Sequence, residues 1–231
     1  METELIQTSS AHPAWFLVIS LGLAMIPAVL GMFTSYLKIS VVLHLLRSGL
    51  GTQQVPSASV IMVLSLALTC FIMAPQFDSS LQRANELEIL DPELAGEKIT
   101  LKNVGYVLEP WKSFMLTHSG ERELELFSLL KDQESSQAEQ VEEQPESLEP
   151  SWRILLPAYV VSELQKAFLI GFLILLPFLV IDLIVSNILV GMGMFMVSPV
   201  LIALPLKLAL FVLSDGWMLL AKGLVYSYQG G

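Results

Sequence analysis

The sequence is short of almost everything a soluble catalytic domain uses: 15% of its 231 residues are charged, and it has one cysteine and three histidines. A single cysteine, Cys70, excludes an intrachain disulfide framework and any cysteine-rich metal centre. His12, His44 and His118 fall in three separate regions with no ligand-like spacing, so no metal site is expected. No P-loop string occurs, and Gly191-Met192-Gly193 lacks the third glycine and the strand-turn-helix setting of a nucleotide loop. Twelve Lys and Arg against 22 Asp and Glu give a formal net charge of −10, which argues against nucleic-acid binding through neutralised phosphates. No cofactor and no enzymatic activity are expected.

What is present is apolar. Hydrophobic residues make up 54% of the chain, more than an ordinary soluble domain carries, and the composition is that of an integral membrane protein. The charge is unevenly placed. Residues 76–150 hold seventeen acids and six bases, a net −11, while the rest of the chain carries five acids and six bases. The chain divides into an N-terminal piece (1–13), a hydrophobic hairpin (14–75), an acidic but partly apolar insertion (76–131), an acidic linker (132–150) and a second hydrophobic hairpin with a Met-rich segment (151–231).

Ala14 to Leu37 lacks Asp, Glu, Lys and Arg, enough for one spanning helix. A second apolar run, about Val55 to Pro75, starts near Pro56 and is expected to stop at Ala74-Pro75. Lys38, His44 and Arg47 lie at the turn between them, whereas the chain begins Met1-Glu2-Thr3-Glu4, so the positive-inside bias puts the turn in the cytoplasm and the acidic insertion outside. The acidic start does not suit a cleavable signal peptide, and the first span is read as retained.

In the second half, Ile154 to Leu189 would measure roughly 54 Å as one helix against a hydrocarbon core of about 30 Å. Pro157, Pro177, Pro199 and Pro205 supply places for kinks or breaks, and two kinked helices joined near Gly191 to Pro199 are expected. Within the insertion, Trp111, Phe114 and Met115, then Leu124, Phe127 and Leu130, recur at helical steps on either side of Gly120, which predicts a small helical cap outside the membrane. Asp132 to Pro150 is Gln, Glu and Ser with few large side chains, and reads as a disordered linker.

Charges near mid-bilayer each need a partner or water, since insertion scales set them about 2.5–3.5 kcal/mol uphill. Glu163 and Lys166 are three apart and can pair along one helix. Asp182, Lys207 and Asp215 have no such neighbour, and the preferred long-range pair is Glu163 with Lys207. The plainer reading of the set is geometry-fixing ion pairs within or between subunits; the functional one is a proton or ion path.

Met192-Gly193-Met194-Phe195-Met196-Val197-Ser198-Pro199 alternates three methionines in a segment bounded by glycine and proline. Methionine is flexible and polarisable and packs around different contents. A ring of such side chains in an oligomer would make a dry, deformable constriction that stops ions by dewetting. Ordinary membrane packing is the plainer alternative.

The order of these features resembles the flagellar FliP and injectisome SctR family of type III secretion export-gate proteins. The likeness runs from Thr34-Ser35-Tyr36-Leu37-Lys38, Leu46-Arg47, Gln53-Gln54-Val55-Pro56 and Met73-Ala74-Pro75 through Pro110-Trp111-Lys112 and Leu124-Glu125-Leu126-Phe127. It continues through Pro157-Ala158-Tyr159 to Glu163-Leu164-Gln165-Lys166, Pro177 to Asp182, the methionine segment, Leu204-Pro205-Leu206-Lys207 and Asp215-Gly216-Trp217. Only the acidic tract near 132–150 falls outside it.

The resemblance implies an all-α membrane-type protein of kinked hairpins, with about four long hydrophobic helical segments and a helical extracytoplasmic insertion. It implies five copies joined with smaller SctS-like and SctT-like subunits and an SctU-like switch protein in a conical channel of the bacterial inner membrane, raised toward the periplasm. Unfolded secreted proteins would pass through it. The family's methionine gasket maps onto Met192, Met194 and Met196, with Phe195 where relatives often have another methionine. Glu163, Lys166, Asp182, Lys207 and Asp215 would face protein neighbours and serve assembly, while Pro177, Gly191, Gly193, Pro199 and Pro205 would break helices. The acidic start points to the injectisome branch. A small proton-coupled transporter using Glu163, Asp182 and Asp215 is the alternative from another class.

Overall fold

A computed structural model describes residues 13–51, 56–89, 100–137 and 150–229. Every regular element among them is a helix. In chain order these are α1 (Pro13–Phe33), α2 (Tyr36–Leu50), α3 (Ala58–Glu86), α4 (Leu101–His118), α5 (Glu121–Gln137), α6 (Trp152–Gly191), α7 (Pro199–Leu213) and α8 (Gly216–Gln229). Helices α3 and α6 are each long and apolar enough to cross a membrane, and α7 with α8, bent by 62° at their junction, pass together as a third such segment. Helix α1 adds 21 residues without a charged side chain. The fold is the all-α membrane type that the composition calls for.

Several helix ends differ from expectation, each for a local reason. The first apolar run is cut at Thr34-Ser35, and the residues beyond the cut form a separate helix, α2, rather than a bare turn. Helix α3 does not stop at Pro75 but runs eleven residues past it to Glu86. Likewise α6 continues through Pro157 and Pro177, and α7 through Pro205, so neither Pro177 nor Pro205 breaks a helix. A proline removes one ladder bond but leaves its neighbours intact, and in apolar surroundings, where free backbone groups have no water to turn to, the remaining ladder holds. Helix α6 is 40 residues, about 60 Å, roughly twice a hydrocarbon core. Residues 132–137 of the expected linker are helical, the end of α5; residues 138–149 of that tract, His12 and the Gln53-Gln54 pair lie outside the described residues.

The core is centred on α2. Ile39, Val42, Leu43, Leu46 and Leu50 recur at three- and four-residue steps and are all buried, the pattern of a helix with one apolar stripe turned inward. They pack with Ile61 of α3, Ala167 and Phe178 of α6, Phe211 of α7 and Leu220 and Leu224 of α8. Glycine sets the closeness of α2 and α6. A Cβ on Gly171 would strike Leu45, and one on Gly49 would strike Leu175, so each helix offers a small residue where the other's leucine arrives. A smaller cluster of Val185, Leu189 and Ala203 joins α6 to α7.

The insertion is not a detached cap. Phe114 and Met115 of α4 share a buried cluster with Met73 of α3, Leu155 and Tyr159 of α6 and Tyr228 of α8. Its turn is tied down as well, the Gly120 amide donating to Ser162 Oγ at 2.8 Å. By contrast the outer faces of α1 and α6 carry exposed Leu17, Leu21, Leu23, Phe168, Leu173 and Leu183. Helices apolar on nearly every side call for lipid or protein around them.

Candidate functional site: a methionine loop and two buried ion clusters

The methionine segment is the loop between α6 and α7, residues 192–198. Its shape is set by the end of α6. The Gly193 amide donates to Val190 O and the Met194 amide to Leu189 O, at 3.0 and 2.9 Å, with Gly193 at φ 75°. These paired bonds form a Schellman stop, which wants glycine at the left-handed position. Pro199 then starts α7, where its missing amide would be unpaired in any case. Gly193 and Pro199 therefore turn the chain, whereas Gly191 is still helical, the last residue of α6. Between Gly191 and Pro199, Met192, Met194, Phe195 and Met196 all project from the protein, Phe195 with 76% of its surface exposed. Four large apolar side chains thus stand uncovered together on one turn, more exposed apolar surface than a lone surface residue presents.

The first ion cluster joins α2, α6 and α8. Lys38 Nζ lies 3.4 Å from Glu163 Oε2, both side chains fully buried. Glu163 also accepts from the Tyr228 hydroxyl, and its other oxygen is 3.6 Å from Lys166 Nζ. The Lys38 ammonium sits 3.4 Å above the Tyr228 ring centroid, a cation–π contact strengthened by exclusion of water. Tyr159 Oη donates to Thr34 O at 2.9 Å and Tyr228 Oη lies 3.4 Å from Ser35 O. At the break between α1 and α2, Thr34 O thus takes its hydrogen bond from a phenol of α6, while Ser35 O, which accepts from the Ile39 amide, has a phenol of α8 beside it. Lys166 reaches on to His118 O of α4 at 2.7 Å.

The second cluster joins α2, α6 and α7. Lys207 Nζ donates to Asp182 Oδ2 at 2.6 Å and to Gly49 O at 3.0 Å. Lys207 is buried, while Asp182 is about one-third exposed on its side chain. Glu163 and Asp182 stand about 28 Å apart along α6, one cluster toward each end of a stretch about as long as a hydrocarbon core is thick.

The structure brings Glu163 and Lys166 together as their spacing predicts, but not Glu163 and Lys207. Each of those two has a nearer partner, because α2 slots between α6 and the rest of the bundle and delivers Lys38 to Glu163. Lys38 is therefore a buried, paired charge inside α2 and not one presented at the turn between the first two apolar runs. Asp215 is also placed differently. It is exposed, takes no part in either cluster, and occupies the left-handed position after α7 at φ 53°, its carbonyl accepting from the Leu219 amide at the start of α8. Asp tolerates that conformation better than most residues. Sequence reasoning missed Lys38, Tyr159, Tyr228 and His118 as polar partners. One signal was available: Lys38 stands four and eight residues before Val42 and Leu46, on the very stripe that faces the core.

The FliP family model matches residues 18–224 of the chain. The chain is 42% identical over 207 residues to the flagellar biosynthetic protein FliP of Aquifex aeolicus, covering 90% of this chain and 82% of that one. It is 43% identical over 217 residues to the Yop proteins translocation protein R of Yersinia pestis, covering 93% and 95%. It is 39% identical over 222 residues to the harpin secretion protein HrcR of Erwinia amylovora, covering 96% and 99%.

Proposed function

Since the chain belongs to the FliP family, we propose that it is a pore-forming subunit of a type III secretion export apparatus in the bacterial inner membrane. In this reading five copies enclose a conduit for unfolded protein substrates, and Met192, Met194 and Met196 close it. The observation that carries the reading is the methionine loop, held out by a glycine stop and a proline start with its large side chains uncovered. One loop cannot seal a channel. Several copies side by side can, because soft thioether side chains pack against one another and yield to a passing chain. The uncovered apolar faces of α1 and α6 are the surfaces on which sister copies, the smaller SctS-like and SctT-like subunits and the SctU-like switch protein would pack. Relatives named for flagellar biosynthesis, Yop translocation and harpin secretion support an export role.

Glu163 and Asp182 each face a lysine of their own chain, which supports a structural part for these carboxylates over the proton-binding one a transporter would need. The test is to replace Met192, Met194 and Met196 together by Ala and measure ion conductance of assembled complexes in planar bilayers. A rise in resting conductance is expected; complexes as tight as the parent would remove the gasket assignment.

A further inference from the structure

His118 lies where two helices end. It is the last residue of α4, and its ring reaches the final turn of α8. Nδ1 is 2.8 Å from Phe114 O and Nε2 is 3.3 Å from Tyr228 O. Both neighbours are carbonyl oxygens, which only accept. A neutral imidazole carries one N–H and can satisfy one of them; the imidazolium donates to both. The backbone carbonyls of a helix's last turn also present the negative end of its dipole, and here two such ends converge on one buried ring. The rings of Phe114 and Tyr228 enclose it, with centroids at 4.4 and 5.0 Å.

We infer that His118 is a proton-controlled latch, holding the C-terminal turn of α8 to α4 through two hydrogen bonds when the ring is charged and through one when it is neutral. The ionisable groups around it come from every neighbouring helix. From α6, Lys166 donates to the His118 carbonyl and Glu163 binds Tyr228 Oη, with the Tyr159 phenol in the same cluster. Tyr228 comes from α8, and Lys38 of α2 lies over its ring. Arg83 of α3 and Glu109 of α4 line the adjoining cavity of about 490 Å³ with His118, and Glu123 of α5 borders the Gly120 turn. Histidine is the residue type whose charge ordinarily changes between about pH 5 and 8, so the latch answers to the pH at this end of the bundle. The latch is a property of the fold and does not depend on the conduit.

The experiment is hydrogen exchange of the full chain in detergent, following the amides of residues 224–228 from about pH 5.5 to about pH 8, corrected for intrinsic exchange. Protection is expected to be roughly five- to tenfold greater at the acid end, the difference between a charge-assisted and a neutral hydrogen bond. His118→Gln, which can donate one bond but not charge, is expected to flatten the profile, and His44→Gln to leave it unchanged. A flat parental profile, or a pH dependence that survives His118→Gln, overturns the latch. If His118→Gln does not fold, NMR of isotope-labelled imidazole in the parent decides: a His118 ring that keeps one protonation state while protection changes also overturns it.

Discussion

Lys38 and Glu163, 125 positions apart in the chain, form an ion pair from which solvent is fully excluded. Taking either charge out of water alone is expensive, and only the partner offsets it. The pair is therefore more a lock on the arrangement of α2 against α6 than a source of net stability. Tyr228 closes it from the third side through its hydroxyl and its ring, so the C-terminal helix is read by the same lock.

Removing one member should consequently harm more than removing both. Lys38→Met or Glu163→Leu alone is expected to destabilise the detergent-solubilised chain by about 3–5 kcal/mol, while the two together recover a large part of it. Denaturant unfolding of the parent, the single variants and the double variant checks this as a double-mutant cycle. Strictly additive losses would show that the two side chains do not act as a pair.

Glycine substitutions should split in sign. Gly171→Val drives a side chain into Leu45 and is expected to lower stability by about 1–3 kcal/mol. Gly105 in α4 is exposed and has nothing within 4 Å of its would-be Cβ, so Gly105→Ala is expected to raise stability by up to about 1 kcal/mol through helix propensity alone. Thermal melts of both variants measure it, and equal responses would contradict the close α2–α6 contact.

The left-handed Asp215 predicts an ordering of its own. Asp215→Gly is expected to be neutral or stabilising by up to about 1 kcal/mol, and Asp215→Val to destabilise by about 1–2 kcal/mol, because a β-branched residue fits that conformation poorly. A melting series of the three proteins tests the order; Val tolerated as well as Gly would mean the α7–α8 break is not built on this residue.

Single replacements of Met194 or Met196 by Ala should leave the isolated chain's stability within about 0.5 kcal/mol of the parent, since both side chains are exposed. Denaturant midpoints in detergent check it. A large loss would place these methionines in the chain's own packing and weaken their assignment to a gate.

Much of this was legible in the residue order because it depends on local chemistry. Composition and long uncharged runs determine an all-helical membrane protein, since backbone groups in hydrocarbon must be satisfied within the segment. Gly193 and Pro199 determine a turn that presents the methionines, by φ freedom in one and a missing amide in the other. The three-residue step determines the Glu163–Lys166 contact. Long-range matters were decided only by the packed bundle. Prolines marked expected breaks at 75, 177 and 205 that the helices run through, because their neighbours' hydrogen bonds and packing outweigh one lost donor. Which lysine meets which carboxylate depends on how closely Gly49 and Gly171 let α2 approach α6, and pattern alone carries no such distance. The convergence of α4 and α8 on His118 is likewise a product of three-dimensional packing, since it joins residues 110 positions apart through contacts that no helical period can encode.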